Sequence, residues 1–386
     1  MDKYQSALST AIPPAPPPKG PLNKYRLLSP TASVRVSPLC LGGMNLGSNW
    51  KEMMGEMSQE QGEGMLDCFY DNGGNFIDTA NLYQNGQSEQ WIGGWMKKRG
   101  NRDEMVIATK YTTNFHLGRG DSEIMVNYSG NGSKSLRLSV EASLKNLQTD
   151  YIDILFIHWY DHATSIPELM QSLNSFIASH KVLYVGISDS PAWVVSKANQ
   201  YARDHGLAQF SVYQGQWNAA ARDMEREIVP MCRAENMGIM AFGCLGGGMF
   251  KTSEQLAQRS ADGERVAPPA NEKFRKVSLA LERVAERKGT TLTAVAMAYV
   301  MGKAPYVFPI VGGRKVEYLE GNIEALKISL GEEDVKEIED SDEFEVGFPG
   351  SVVHGGKVPK NPQDAIWLYP SGTCENVPVR GVIVPK

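Results

Sequence analysis

Short apolar runs, each followed by a turn and an amphipathic stretch, recur along the chain from about residue 24 onward. The runs are Leu39–Gly43, Asn75–Ala80, Met105–Lys110, Ile152–His158, Val182–Ser188, Phe210–Gln214, Gly238–Phe242 and Val307–Gly312. Six of them are apolar at consecutive positions rather than alternating, the pattern of parallel strands covered on both faces. The stretches between them carry helical spacing. Val140, Leu144 and Leu147 fall on one stripe, as do Phe274, Val277, Leu281 and Val284. Ser190 before Pro191 has the form of a helix start. Eight strands, each followed by helical material, predict an α/β chain folded as a (β/α)8 TIM barrel. A doubly wound sheet would instead place a glycine fingerprint after the first strand, and Met44–Gly47 does not supply one. Ahead of the first strand, Tyr25–Leu28 and Ser33–Val36 flank a Ser-Pro turn and predict a hairpin plugging the barrel's N-terminal end.

The rhythm divides the chain into a Pro-rich leader over 1–23, a barrel over 24–343 and a tail over 344–386. Five prolines within residues 10–20 favour extended polyproline geometry and a surface-draped course. Two long polar loops follow strands three and seven, Thr112–Ser135 and Phe250–Asn271. Loops at strand C-termini are where barrel enzymes place their sites. The tail, though rich in Gly and Pro, holds Trp367 and Tyr369 and is expected to lie against the barrel.

Composition narrows the function classes. With 39 basic and 44 acidic residues and no basic block, the chain lacks a nucleic-acid footprint. No apolar run approaches the roughly 18 residues that span a bilayer, and no signal peptide is legible, so neither a membrane nor a secretory role is expected. Five scattered cysteines without a CxxC pair fit a reduced, cytoplasmic protein. Oligomeric state leaves no distinctive surface stripe.

The chemistry gathers at the ends of strands two, three and four. Strand two delivers Asp78 and, just beyond it, Tyr83; strand three ends at Lys110; strand four ends at His158. A tyrosine has an ordinary pKa near 10. A nearby ammonium favours the phenolate and is expected to lower that value by about 1–3 units, while Asp78 keeps the ammonium charged out of water. His158 would align a carbonyl oxygen or share its proton. Such a group suits protonating an oxygen while a hydride reaches the attached carbon. Trp50, Phe115 and Trp159 lie on loops expected to rim the mouth as apolar substrate walls.

These residues sit in motifs. Residues 73–95, GGNFIDTANLYQNGQSEQWIGGW, resemble the signature of aldo-keto reductases, with Lys110 in VIATKY and His158 in DILFIHW at the other two positions of that family's tetrad. SVYQGQWN, SDSPAWVVSKAN and the glycines at 246–248 resemble the fungal aryl-alcohol dehydrogenase branch, which includes norsolorinic acid reductases. The resemblance implies a reductase of aldehydes or ketones, aromatic or polyketide-type, that carries NADPH (as NADP) without a Rossmann fold and without a metal. It places Gly43, Met44 and Asn45 beside the nicotinamide ribose, with Asp78 close by. Ser188, Asp189 and Gln214 would hold the carboxamide, with Asp189 standing where many relatives have asparagine. Phe242 would stack on the nicotinamide, where close relatives more often have tryptophan. Gly243, Cys244, Leu245, Gly246, Gly247 and Gly248 would cover the pyrophosphate, and Gly312, Gly313, Arg314 and Asn322 the adenosine end. Arg314, with Lys315 and more weakly Arg259, would meet a 2′-phosphate.

Three other readings compete. An NADPH-binding sensor or regulatory subunit with little turnover would keep the same motifs. A metal-dependent hydrolase could use His158 and His162, though the neighbouring strand ends offer only Asp78 and a repelling lysine. Gly130–Ser135 hints at a phosphate loop but lacks a glycine directly before its lysine and a strand ahead of it.

Overall fold

The computed structural model describes residue 8 and residues 10–117, 120–257, 272–359, 364–372, 375 and 381–385. Its strands are β1 (Arg26–Ser29), β2 (Ala32–Val36), β3 (Cys40–Gly42), β4 (Phe76–Asp78), β5 (Val106–Tyr111), β6 (Ile152–Ile157), β7 (Val182–Ser188), β8 (Phe210–Gln216), β9 (Gly238–Phe242) and β10 (Val307–Val311). β3 to β10 pair in parallel and in chain order, and β10 returns to β3 to close the barrel. The (β/α)8 barrel read from the apolar runs is thus the fold. The run boundaries differ from the strands by two residues at most: some run ends leave the ladder for a turn, while β5 and β8 extend past their runs to Tyr111 and Gln216.

Burial follows the pleat. Every residue of β5 and β6 is buried, since helices cover one face and the barrel lumen takes the other. Facing inward are Cys40, Phe76, Val106, Ala108, Ile154, Phe156, Val212, Met240 and Phe308, which form one core with Leu28, Ala32 and Val36. Those last three belong to the antiparallel β1–β2 hairpin. The Leu28 carbonyl lies where a Cβ on Gly238 would stand, at 2.3 Å, and Thr31 Oγ1 donates to the Asn236 carbonyl. Both contacts are at the entry to β9, so the hairpin plugs the N-terminal end. The outward faces, with Ile77, Ile107, Leu155 and Ile187, join a larger core beneath the helices.

Three local expectations change. The helix expected to start at Ser190 begins at Ala192 with Pro191 as its cap, because the Ser190 hydroxyl turns back to donate to the Ser188 carbonyl at 2.7 Å. The loop after β9 carries a short helix, Ser253–Ala257, and its remainder to residue 271 lies outside the described residues, Arg259 included. Leu22 is fully buried in the core, whereas residues 10–19 are exposed. In the C-terminal segment, Phe344 packs against the guanidinium groups of Arg222 and Arg226, and Arg226 donates to the Glu345 carbonyl at 2.8 Å. Trp367 is exposed, and the side chain of Tyr369 lies outside the described residues.

Candidate active site

Inward positions along each strand recur every second residue. Continuing the lumen set one step brings Phe76 to Asp78, Ala108 to Lys110, Phe156 to His158, Val212 to Gln214 and Met240 to Phe242. Polar groups therefore appear where the apolar lumen ends, at the C-terminal mouth. Gly186 on β7 leaves room for the Phe156 ring, which lies 2.4 Å from where its Cβ would stand, and the next inward position is Ser188.

Lys110 is completely buried. Its ammonium donates to Asp78 Oδ2 at 2.7 Å, to the Thr79 carbonyl at 2.8 Å and to Tyr83 Oη at 3.3 Å. Gln214 Nε2 donates to the other Asp78 oxygen at 2.8 Å, so the carboxylate is held from two strands. Desolvation alone would lower the lysine's pKa, but Asp78 and Tyr83 outweigh it and raise it, keeping the group charged. Tyr83 departs from the expectation. Burial raises its hydroxyl above the usual tyrosine value, and the opposing pull of Lys110 only partly offsets this. The ring hydroxyl is therefore a retained proton with an ammonium beside it, ready to stabilise the phenolate once the proton leaves.

The His158 ring meets Tyr83 edge-on with centroids 5.9 Å apart. Desolvation, then Lys110, push its pKa down to about 3, so it is a neutral imidazole. Its Nδ1 is buried without a partner. Asp189 follows Ser188 in a left-handed conformation (φ 39°), and its N–H donates to the Gln214 carbonyl at 3.2 Å. The residue is exposed at the mouth, and the desolvation its neighbours impose raises the carboxyl to about 6 against the pull of Lys110.

The substrate-wall candidates separate. Trp50 is brought to Tyr83, edge-on at 6.3 Å. Trp159 is partly exposed and donates to Thr113 Oγ1 at 3.0 Å. Phe115 packs into an aromatic cluster of its own loop, with His116 at 4.8 Å and Tyr128 at 5.6 Å. What seats Trp50 is not legible as a motif. Gln84 and Asn85 adopt consecutive positive φ angles; Gln84 Oε1 accepts from Trp50 N at 2.7 Å and Asn85 Oδ1 from Trp50 Nε1 at 3.1 Å. Glu89 is likewise missed: fully buried behind β5, it accepts from Thr109 Oγ1 at 2.7 Å and Asn146 Nδ2 at 3.1 Å. The neighbouring YQNGQSE string was the available signal, but no periodicity marks these side chains.

The dinucleotide candidates line the mouth from β7 round to β3. Ser188 Oγ is buried and unpartnered, as are both amide atoms of Asn81 beside the tetrad. Unsatisfied buried polar atoms in a cleft are what a polar ligand would complete. After β9 and Phe242, Gly243, Gly246, Gly247 and Gly248 all have positive φ, and nothing lies within 4 Å of the missing Cβ atoms of Gly247 and Gly248. Such backbone leaves N–H groups open to an anion. Cys244 turns inward instead, its thiol donating to the Ala241 carbonyl at 2.9 Å, and Leu245 packs on the outer core. Gly43 is required by packing: its Cβ would stand 2.9 Å from the Asp78 carbonyl and from Ser88 Oγ. Met44 and Asn45 follow it in a single helical turn. Gly312 and Gly313 follow β10, Arg314 reaches the loop after β3, and Asn322 is buried on the next helix. These observations fit a dinucleotide. Lys315 lies over the Tyr318 ring, and Asp161 caps the turn at Ala163 and Thr164 while accepting from Asn131 N. That last contact braces the turn at 130–132, from which the helix Ser133–Leu147 starts, so Gly130–Ser135 is a helix entry.

Known proteins resemble the chain over most of its length. A sequence model of the Aldo/keto reductase family matches residues 38–343. The chain is 57% identical over 332 residues to norsolorinic acid reductase B of Dothistroma septosporum, covering 86% of this chain and 84% of the relative. It is 53% identical over 338 residues to norsolorinic acid reductase A of Aspergillus parasiticus, covering 88% and 86%. It is 52% identical over 377 residues to an aryl-alcohol dehydrogenase of Pestalotiopsis microspora, covering 97% of each chain. The chain therefore belongs to the aldo/keto reductase family, as an oxidoreductase acting on carbonyl and alcohol groups.

Proposed function

We propose that the protein is a cytoplasmic, NADPH-dependent reductase of aromatic or polyketide-type aldehydes and ketones in secondary metabolism, able to oxidise aryl alcohols in reverse. The observation that carries this is the buried chain from Gln214 through Asp78 and Lys110 to the Tyr83 hydroxyl, with neutral His158 beside it. The names of the relatives support the substrate class. Four described cysteines are free, and among the described residues no helix is long and apolar enough to cross a membrane.

Ser188, Asp189, Gln214, the glycines at 246–248 and Arg314 would hold the dinucleotide, which when bound supplies hydride to the carbonyl carbon. Tyr83 gives its proton to the carbonyl oxygen. Lys110 stabilises the phenolate that remains, and Asp78, fixed by Gln214, keeps the ammonium in place. His158, neutral, offers a ring N–H to the same oxygen without competing for the proton. Trp50 and Trp159 present apolar walls.

Tyr83→Phe tests the assignment. NADPH binding, followed by quenching of tryptophan fluorescence, should stay within about twofold, while turnover of an aryl aldehyde falls by roughly 10²–10⁴, the usual contribution of a positioned acid. Turnover near the parent's would remove Tyr83 from the mechanism. Slow, substrate-indifferent oxidation of NADPH by the parent protein would favour a sensor.

A further inference from the structure

The loop between β3 and the helix starting at Gln59 meets both the segment after Tyr83 and the loop after β10. Its first half is sewn to the segment after Tyr83. Ser48 N donates to Gln87 Oε1 at 2.6 Å, Asn49 Nδ2 to the Gln84 carbonyl at 2.8 Å and Trp50 N to Gln84 Oε1 at 2.7 Å. One helical turn, Lys51–Met54, then leads to Gly55. Gly55 is buried, with φ 79° and ψ 164°, a conformation essentially closed to residues with a Cβ. The space a Cβ would need is taken by the Arg314 guanidinium, with Nη1 at 2.2 Å and Cζ at 2.4 Å from the Cβ position. Arg314 Nη1 also donates to the next carbonyl, Glu56 O, at 3.4 Å. Arg314 belongs to the loop after β10, some 258 residues away in sequence. Two loops far apart in the chain thus meet as an arginine laid on a glycine.

We propose that Gly55 is a specificity-determining residue, the seat that holds Arg314 over the groove so that its guanidinium reads the 2′-phosphate of the dinucleotide. The inference rests on the assignment of Arg314 to that phosphate. A guanidinium has five N–H donors in a planar fork. Contact with Glu56 O occupies one, and packing of the guanidinium on Gly55 limits the directions open to the others. An unseated arginine would have to be ordered by the ligand, at a cost of lost side-chain entropy. The same loop carries Trp50 against Tyr83. A phosphate that tightens Arg314 on its seat therefore also steadies the wall beside the proton donor.

Hydrogen exchange in the unmodified protein, followed by mass spectrometry, gives the first test. With each dinucleotide at saturation, amides 50–57 should exchange about tenfold more slowly with NADPH than with NADH. Equal protection overturns the proposal. Dissociation constants from tryptophan quenching give the second. Gly55→Ala and Arg314→Gln should each weaken NADPH about tenfold, the scale of one charged hydrogen bond, and change NADH by less than about twofold. The double variant should be no weaker than either, because both changes remove the same contact. If Arg314→Gln loses the preference for NADPH and Gly55→Ala keeps it, the arginine reads the phosphate unaided and the seat is refuted alone. If Arg314→Gln keeps the preference, the phosphate assignment fails and takes the seat with it. If thermal melting shows Gly55→Ala unfolded, the exchange experiment on the parent and on Arg314→Gln decides, with protection by NADPH expected to vanish in the latter.

Discussion

Lys110 and Asp189 show how one pocket treats two charges. Lys110 has three acceptors within hydrogen-bonding reach and stays charged at zero exposure. Asp189 feels Lys110 but is only partly relieved by it, so its carboxyl rises to about 6. The sign of the consequence follows from linkage. An aspartate that holds its proton up to about 6 when folded, but only to about 3.9 when unfolded, supports the fold below the lower value and withdraws that support as pH rises through the upper one. Asparagine does not titrate and tolerates the left-handed φ of 39° at least as well. Asp189→Asn should therefore raise the melting temperature at pH 7, with the gain shrinking to nothing as pH is lowered to about 4. A gain independent of pH would place the cause elsewhere. The residue types at these positions were legible in the motifs. That burial would hold the Tyr83 proton more firmly than the ammonium loosens it was not, since desolvation depends on neighbours distant in sequence.

Among the secondary-structure elements, alternate residues of each strand line the lumen. Strand runs and the hairpin were readable because period and turn chemistry are local. The function of the hairpin is set by a contact between backbones distant in sequence, the Leu28 carbonyl against Gly238. Gly238→Ala would have to displace the plug from the bottom of the lumen. Overpacking of this kind costs about 1–3 kcal/mol, which urea unfolding would register. The tetrad stands at the opposite end of the strands, so KM for the carbonyl should hold within about twofold in the folded variant. A large KM change with unaltered stability would contradict the plug.

Across the whole molecule, a buried charge network ties the loop after β8 to the closing helices and the C-terminal segment. Glu225, 3% exposed, meets Arg222 Nη2 at 2.9 Å, Lys303 Nζ at 3.1 Å and Trp217 Nε1 at 3.1 Å. Lys303 and Arg222 also reach Glu339, and Phe344 covers Arg222. Burial would raise the Glu225 carboxyl, but Arg222, Lys303 and the indole N–H outweigh it and hold it below the usual range. A depressed carboxylate supports the fold above its unfolded value, near 4.3, and the support is lost as pH falls through the lower folded value. Glu225→Gln leaves two cations around a neutral group and should cost about 3 kcal/mol at pH 7. The deficit, measured by urea unfolding, should narrow below about pH 4. A constant deficit would mean that shape rather than charge is lost.

From the residues alone came the barrel, its plug and the identity of the four residues at its mouth, because hydrophobic period, turn chemistry and motif spacing are properties of contiguous chain. Tertiary structure alone decided which of the aromatic candidates stands beside Tyr83, how Gln84 and Asn85 seat Trp50, and that Arg314 lies on Gly55. Those outcomes depend on distances between segments separated by tens to hundreds of residues. Closing the cylinder sets them, and no local pattern encodes them.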